Sequence, residues 1–352
     1  MEESLKNSCV NIKIVGIGGA GNNAINRMVR SGLGGIEFIA VNTDAQALSL
    51  CIAQRKIAIG QGITLGLGAG GDLKKGEEAA KISIDDLRSA ISSADVVFIT
   101  TGQGGGTGTG ATPVIAHLAR EAGALTIGVV TKPFSFEGKK RSLQADYGIE
   151  NLEREVDTLI TIPNDRLLEV AVDVPVVEAF KLADDILLQG VRAVTELVTE
   201  KGIVNLDFAN IKEVLSNSGR ALIGIGVDSS AKDRGRIAAM KAIRSPLLES
   251  SIDGATKVLV NVSGGNDLAL YEVNDAVEVV ARAVDPEASI VFGAITKEHF
   301  KGRIEVIVIA SGFISRRQSK RSPENSTSVW HNFERYNETE VDFPTFLRNG
   351  RS

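Results

Sequence analysis

Between residues 11 and 165 the chain repeats one pattern: a short apolar run, a loop, then a helical stretch. The runs are NIKIVGI, IEFIAVNTD, ADVVFITT, ALTIGVVTKPF and TLITIPND. Helical patterns such as NNAINRMVRSG, KKGEEAAKISIDDLRSAI, PVIAHLAREAG and SLQADYGIENLEREV separate them. Runs too apolar to alternate belong to strands buried on both faces, and the intervening helices supply the covering layers. This order therefore predicts an α/β fold, a parallel Rossmann-like sheet with helices on both faces.

The rest of the chain extends that frame. From Val176 the pattern is helical through VVEAFKLADDILLQGVRAVTELVTEK, one long helix. RALIGIGV, KVLVNVSGG, SIVFGAI and RIEVIVIASGF then read as strands, with RIAAMKAIRSPLLE and NDAVEVVARAV as helices, giving a smaller α+β unit at about 221–315. At 352 residues the chain exceeds one ordinary core, so two domains are expected. The division read here is 1–175, a central helix at 176–202, a second domain at 203–315, a linker at 316–340 and a terminal peptide at 341–352. The linker is polar, charged and aperiodic, which reads as disordered.

Composition removes several classes of function. No apolar run approaches the roughly 18–20 residues of a membrane span, and the start MEESLKNSC lacks a signal-peptide core, so a cytoplasmic protein is expected. Cys9 and Cys51 are the only cysteines, and His117, His299 and His331 lie far apart, so neither a disulfide framework nor a metal-ligand cluster is indicated. A net charge of -5 gives no general reason to bind nucleic acid.

Glycine is where chemistry enters. Gly16–Gly21 fits G-x-G-x-x-G after the first strand, a weak dinucleotide signature by itself. Gly66–Gly71 and Gly102–Gly110 are two further glycine-rich loops following strand-like runs. In a parallel sheet such loops share the carboxyl edge, where helix N-termini present free N–H groups and partial positive charge. Bare backbone can wrap an anion closely, and three such loops suit a chain of phosphates rather than one. Thr107 and Thr109 add hydroxyls, and there is no G-x-x-x-x-G-K-[ST], so this is not a P-loop. Read alone, Phe180 is a core aromatic and Asp184 or Asp185 a solvated acid, but Phe180 and Asp184, four residues apart, share a helix face, an arrangement that also suits the plane of a base and its edge. A carboxylate matches the two adjacent donors of guanine, which adenine lacks.

GGGTGTG, with IGGAGNNAINRM before it and KPFSFEGKKR and NLDFAN after it, resembles the FtsZ family of bacterial cell-division GTPases, within the tubulin superfamily, from about Ile12 to Phe313. The resemblance implies GTP and GDP as ligands, Mg2+ held mostly by phosphate and water, and head-to-tail homopolymers at the mid-cell division site. Carried onto this sequence, it places Gly19, Ala20, Gly21, Asn22 and Asn23 beside the ribose and α/β-phosphates. Gly105, Gly106, Thr107, Gly108, Thr109 and Gly110 would cradle phosphates, and Ala69, Gly70 and Gly71 would sense the γ-phosphate. Glu137 and Arg141 would hold the ribose, with Phe180 on the base and Asp184 on its edge. Phe343, Phe346 and Leu347 in VDFPTFLRNGRS would anchor membrane-tethering and regulatory division proteins, so the membrane is reached only indirectly.

The glycine loops contain no general base. The resemblance implies that help comes in trans, from a loop of the next subunit carrying Asn205, Asp207 and Asn210. Asn210 departs from the family pattern, which has Asp there; a carboxamide orients water but cannot take its proton. Two alternatives follow: a GTP-dependent filament scaffold with little hydrolysis, favoured by Asn210, and a Rossmann-type oxidoreductase built on Gly16–Gly21. The oxidoreductase reading leaves Gly102–Gly110 unexplained and finds no catalytic His or Tyr–Lys pair.

Overall fold

The computed structural model describes residues 10–170, 175–199, 202–204, 207–230 and 232–313. Ten strands form one sheet: β1 (Ile12–Ile17), β2 (Ile36–Asn42), β3 (Arg55–Ala58), β4 (Val96–Gly102), β5 (Leu125–Lys132), β6 (Thr158–Pro163), β7 (Gly219–Asp228), β8 (Lys257–Gly264), β9 (Ser289–Thr296) and β10 (Ile304–Ser311). Their order is β3-β2-β1-β4-β5-β6-β7-β10-β8-β9. Neighbours from β3 to β7 run parallel, while β10 is antiparallel to both β7 and β8. β7 joins the two halves: Gly219–Ala221 pair with β6, and Leu222–Asp228 pair with β10. The expected α/β class with its smaller mixed unit is what the chain adopts, and β7 makes the sheet continuous across it.

Both faces of the parallel half are covered. α4 (Leu73–Ile82), α5 (Ile84–Ile91), α6 (Gly106–Glu121) and α7 (Lys139–Glu155) contribute to one face. On the other lie α1 (Gly18–Arg30) and the long α9 (Val176–Thr199). α9 buries Ala183, Leu187, Val191, Val194 and Leu197, a stripe at steps of three and four that the core requires of a helix lying on a sheet. α10 (Phe208–Leu215) adds Ile211, Val214 and Leu215 to the same core, which reaches Leu259 and Ile307 of the second half. α11 (Arg234–Ile243) and α12 (Leu270–Ala281) cover the mixed strands. Three short helices complete the set: α2 (Ala45–Ser49), α3 (Gln61–Thr64) and α8 (Asp165–Val170).

Two local expectations need correction, and two elements escape the sequence pattern. PVIAHLAREAG suggests a helix starting at Pro113, yet α6 starts seven residues earlier, so Gly106–Gly110 are helical. Glycine is a poor helix former, and tertiary packing overrides that preference here. From residue 207 the loop expected there gives way to helix, since Asp207 is the N-cap of α10 and Asn210 lies in its first turn. β3 and α2, after a long polar-apolar mixture, were not distinguishable as elements by periodicity.

Candidate functional site

Strand order reverses between β1 and β4, so the chain leaves these two strands in opposite directions across the sheet and opens a crevice at their carboxyl ends. α1 and α6 begin at this crevice. Neither N-terminus has a side-chain cap: the cap residues are Ile17 and Gly105. The first-turn N–H groups of both helices precede any intrahelical acceptor, so two positive helix ends are available to an anion. The third glycine loop differs from the expectation. It leads into α4, whose N-terminus is capped internally by Asp72, with Oδ1 accepting from Lys74 N (2.9 Å) and Lys75 N (3.3 Å). That loop offers backbone, not a free helix end.

The glycines fall into two physical groups. A Cβ on Gly110 would lie 2.1 Å from Leu73 O, one on Gly76 2.2 Å from Gly106 O, and one on Gly108 2.3 Å from Thr101 Oγ1. Gly21 is similar, at 2.6 Å from Thr100 O. These glycines let helices and strands touch backbone to backbone. In contrast, a Cβ on Gly19, Gly70, Gly71 or Gly105 would meet nothing within 4 Å. Packing does not demand glycine there; the bare backbone faces open space along the crevice.

The loops are held against one another. Gly106 abuts Ala69 and Asp72, and Gly18, at φ +70, abuts Gly108 and Thr107. Thr43, just after β2, shares a 2.6 Å hydroxyl contact with Thr107. Gly68 N donates to Thr43 O, Ala45 N donates to Gly66 O, and Gln144 Nε2 of α7 donates to Gly71 O at 3.0 Å. Thr109 is buried, and its hydroxyl accepts from Gly104 N at 2.7 Å, which fixes the loop from within. Asn22 is 3% exposed; its Oδ1 accepts from Asn42 Nδ2 at 2.8 Å, while its own Nδ2 has no partner among the described residues. Asn23 is exposed and Ala20 half-buried at the same helix start.

At the far end of the crevice lie Glu137, Arg141, Phe180 and Asp184. Glu137 Oε1 accepts from Phe134 N at 3.0 Å, and its Oε2 pairs with Arg141 Nη1 at 2.9 Å. Arg141 in turn packs on Gly104, which brings this turn to the α6 loop. Phe180 stands edge-on to Phe134 with centroids 5.3 Å apart and remains 41% exposed. Asp185 is committed to Arg27 of α1, whose Nε donates to Oδ1 at 2.6 Å. Among the described residues Asp184 makes no such pair. Burial pushes its carboxyl up to about 7 from the ordinary 3.8, Arg27 opposing the shift and Asp185 adding to it. It is a desolvated acid waiting for donors.

Several participants escaped the sequence reading. Asn42 ends β2 and Thr43 follows it, and Asn164 follows β6 with its Oδ1 buried and unpartnered among the described residues. Their signal was present: NTD and IPND put polar residues directly after apolar runs, where a parallel sheet places its ligand edge. Phe134 and Phe136 flank Phe180 and were invisible without the tertiary contact. The end of β2 also bears on the oxidoreductase alternative. A dinucleotide ribose needs an acid there, but Asn42 occupies the position and the Asp44 carboxylate is used in capping α2 at Ala47 N.

Asp207 lies elsewhere. Asp184 and Thr199 are both on α9, and a rise of 1.5 Å per residue separates them by about 22 Å. Beyond α9, α10 ends at the amino edge of the sheet, where Leu215 O accepts from Thr158 Oγ1. Asp207 is exposed, and although it is the N-cap of α10 its carboxylate makes no capping bond. Asn210 is exposed on the same turn. Asn205, Phe343, Phe346 and Leu347 lie outside the described residues. No group of three or more His, Cys, Asp or Glu side chains able to hold a metal ion occurs among the described residues.

Uncapped helix ends, open-faced glycines and the unpartnered Asn22 Nδ2 donor together form a cradle for a polyanion, with an aromatic face and a desolvated acid at one end for a base. Comparison with known proteins agrees with this chemistry. Residues 11–172 match the GTPase domain of the Tubulin/FtsZ family, and residues 219–314 match the FtsZ family C-terminal domain. An empty FtsZ dimer from M. jannaschii is 45% identical, covering 90% of this chain and 92% of that one, with a TM-score of 0.85. A point variant of the FtsZ of M. jannaschii is also 45% identical, covering 89% and 94%, with a TM-score of 0.85. CetZ1 from Haloferax volcanii, a GDP-bound monomer, shares the fold at 23% identity, 87% and 95% coverage and a TM-score of 0.76. By its two matched domains and its 45% identity over nine-tenths of its length, the chain belongs to the Tubulin/FtsZ family, whose GTPase domain it carries.

Proposed function

We propose that this protein assembles head to tail into filaments of the cell-division ring, and that each junction between subunits is a GTPase site. The observation that carries this reading is the separation of acid from cradle. Asp207 follows the far end of α9, whose last residue lies about 22 Å along the helix from Asp184, so α9 carries the chain away from its own cradle before Asp207 is reached. A head-to-tail contact supplies it from the next subunit, and such an interface, being heterologous, propagates into a filament. The exposed Leu65 and Leu67 beside the Ala69–Gly71 loop, and Leu270 and Tyr271 at the start of α12, offer apolar surface for the two sides of that contact.

Within the site, the first-turn N–H groups of α1 and α6, with Gly19, Gly21, Gly105, Gly106 and Gly108, hold phosphate oxygens. Thr107 adds a hydroxyl, Thr109 and Gly110 keep the loop and its helix in place, and Ala69, Gly70 and Gly71 lie where a terminal phosphate would be sensed. Asn22, Asn23, Ala20, Glu137 and Arg141 serve the ribose side. Phe180 takes the face of the base, and Asp184 accepts from the N1 and N2 donors of guanine. The unpartnered Asn22 Nδ2 and Asn164 Oδ1 are the kind of buried atoms a ligand satisfies. Mg2+, when bound, neutralises phosphate charge, and phosphate and water supply most of its ligands. Asp207, free of capping duty, accepts the proton of the attacking water, while Asn210 orients that water through its carboxamide. Asn205 belongs to the same segment.

The proposed domain limits are 1–175, 176–202, 203–315, 316–340 and 341–352; a first family match that ends at 172 and a second that begins at 219 support a division between the two domains. The terminal peptide with Phe343, Phe346 and Leu347 recruits membrane-tethering and regulatory partners in the cytoplasm at mid-cell. Among the described residues no helix is long and apolar enough to cross a membrane. The second reading, a GTP-bound scaffold with little turnover, rests on Asn210. Phosphate release from GTP, followed against protein concentration with pelleting of the same samples, tests both. Turnover that starts only with polymer supports the junctional site. Polymer without turnover supports the scaffold, and turnover proportional to protein without polymer rejects the proposal.

A further inference from the structure

The interface between α9 and the second half of the sheet is apolar apart from a few polar groups. Among them is an ion pair taken almost wholly out of water: Glu196 of α9 and Lys297, the residue after β9, are 3% and 7% exposed, with Nζ and Oε2 2.6 Å apart. The other carboxylate oxygen accepts from Arg192 Nε. Lys297 is itself fixed. Its N–H donates to Gly264 O at 2.8 Å, its carbonyl accepts from Phe300 N at 2.9 Å, and Nζ stands 5.0 Å from the Phe300 ring centroid. A second polar bridge, Asn261 Nδ2 to Ala193 O at 3.4 Å, crosses the same interface.

The segment leading to Asp207 is docked on the open edge of the strand that this pair anchors. Ile203 N donates to Ala294 O at 2.8 Å, and Val204 and Ala294 form an isolated antiparallel bridge. A Cβ on Gly202 would lie 2.4 Å from Ala294 O, so the segment lies flat on β9. Glu196 is three residues before the end of α9, and Lys297 three residues after Ala294. The pair therefore ties helix to strand within a turn of the Asp207 segment on either side.

Stability does not explain it. Desolvating two charges costs about as much as their attraction returns, and apolar replacement of such a pair is often neutral. A directional contact in an otherwise slippery interface instead fixes register. We propose that the Glu196–Lys297 pair is a positioning device that holds the Asp207 segment in the geometry required by the neighbouring subunit's nucleotide. The inference rests on the junctional reading above.

The test compares the full-length protein with three variants: Glu196→Gln combined with Lys297→Met, Glu196→Asp, and Asp207→Asn. Melting temperature, affinity of the unassembled protein for a fluorescent GDP analogue, and GTP turnover per pelleted subunit are measured for each. The double variant is expected to melt and bind nucleotide like the parent while turnover falls about tenfold, because a displacement near 1 Å is enough for such a loss. Glu196→Asp keeps both charges and shortens the reach, and is expected to lower turnover about threefold at unchanged affinity. Parental turnover in either pair variant overturns the proposal, as does a loss of turnover matched by equal losses of nucleotide affinity or melting temperature. Asp207→Asn separates the two ideas. If it keeps parental turnover, the junctional reading itself fails; if it is inactive while both pair variants are fully active, only the positioning role fails.

Discussion

Asp184 and Asp185 are adjacent acids with opposite circumstances. Arg27, 158 positions away in sequence, claims Asp185 and leaves Asp184 desolvated and unpaired. With its carboxyl raised to about 7 from 3.8, folded Asp184 retains a proton that the unfolded chain has already released. Stability therefore falls as pH rises through that window, and the penalty is complete above about 7. Guanine donors favour the ionised form, so nucleotide affinity should rise over the same range, with a proton released on binding. Asp184→Asn is expected to raise the melting temperature of the nucleotide-free protein near pH 8, to raise it much less near pH 5, and to weaken GDP binding roughly 10- to 100-fold. Equal melting at both pH values would contradict this. At Asn210, a carboxamide stands where a second acid would help remove a proton; Asn210→Asp should raise phosphate release several-fold, and a variant no faster than the parent assigns catalysis to Asp207 alone. The family resemblance named Phe180 and Asp184, and their four-residue spacing added only that they share a helix face. The sequence could not say which neighbouring acid is free, because Arg27 decides that across the fold.

At the scale of elements, the glycine-rich segments hold two kinds of glycine that look identical in sequence. Gly110 gives α4 and α6 their backbone contact, whereas Gly105 borders open space with φ -94, a conformation any residue adopts. Gly110→Ala should therefore destabilise the fold by about 1–3 kcal/mol through overpacking. Gly105→Ala should melt like the parent and still lose nucleotide affinity, because its methyl group would project into the cradle. Matched calorimetry and binding on the two variants decides this; equal melting temperatures for both would refute the division. The β–loop–α order was legible because parallel strands buried on both faces are continuous apolar runs, as in VVFITTG of β4. The start of α6 was not, because helix propensity places it at Pro113 and only the approach of Gly76 and Leu73 explains a helix through GTGTG. The internal cap at Asp72 is a related case: DLKK reads as a cap in retrospect, yet its consequence is that one of three glycine loops contributes no helix end.

For the whole molecule, α9 is the spacer. It carries Phe180 and Asp184, the proposed base-recognition residues, near its start and leads to Asp207 beyond its end, while β7 ties the two halves into one sheet. On the proposed reading, one subunit holds two half-sites facing different neighbours, and function follows from repetition rather than from closure. The central claim is that a nucleotide cradle and its acid come from different copies. Mixing Asp207→Asn with Asp184→Asn, at a GTP concentration that loads only the former, tests it most directly. Each variant alone should turn over GTP slowly, the first lacking the acid and the second the ligand. In an equimolar mixture, junctions that join a loaded cradle to an intact Asp207 should restore about one quarter of the parental rate, their share in a random filament. A mixture no faster than the sum of its separate components would show that the site is complete within one subunit and would contradict the account.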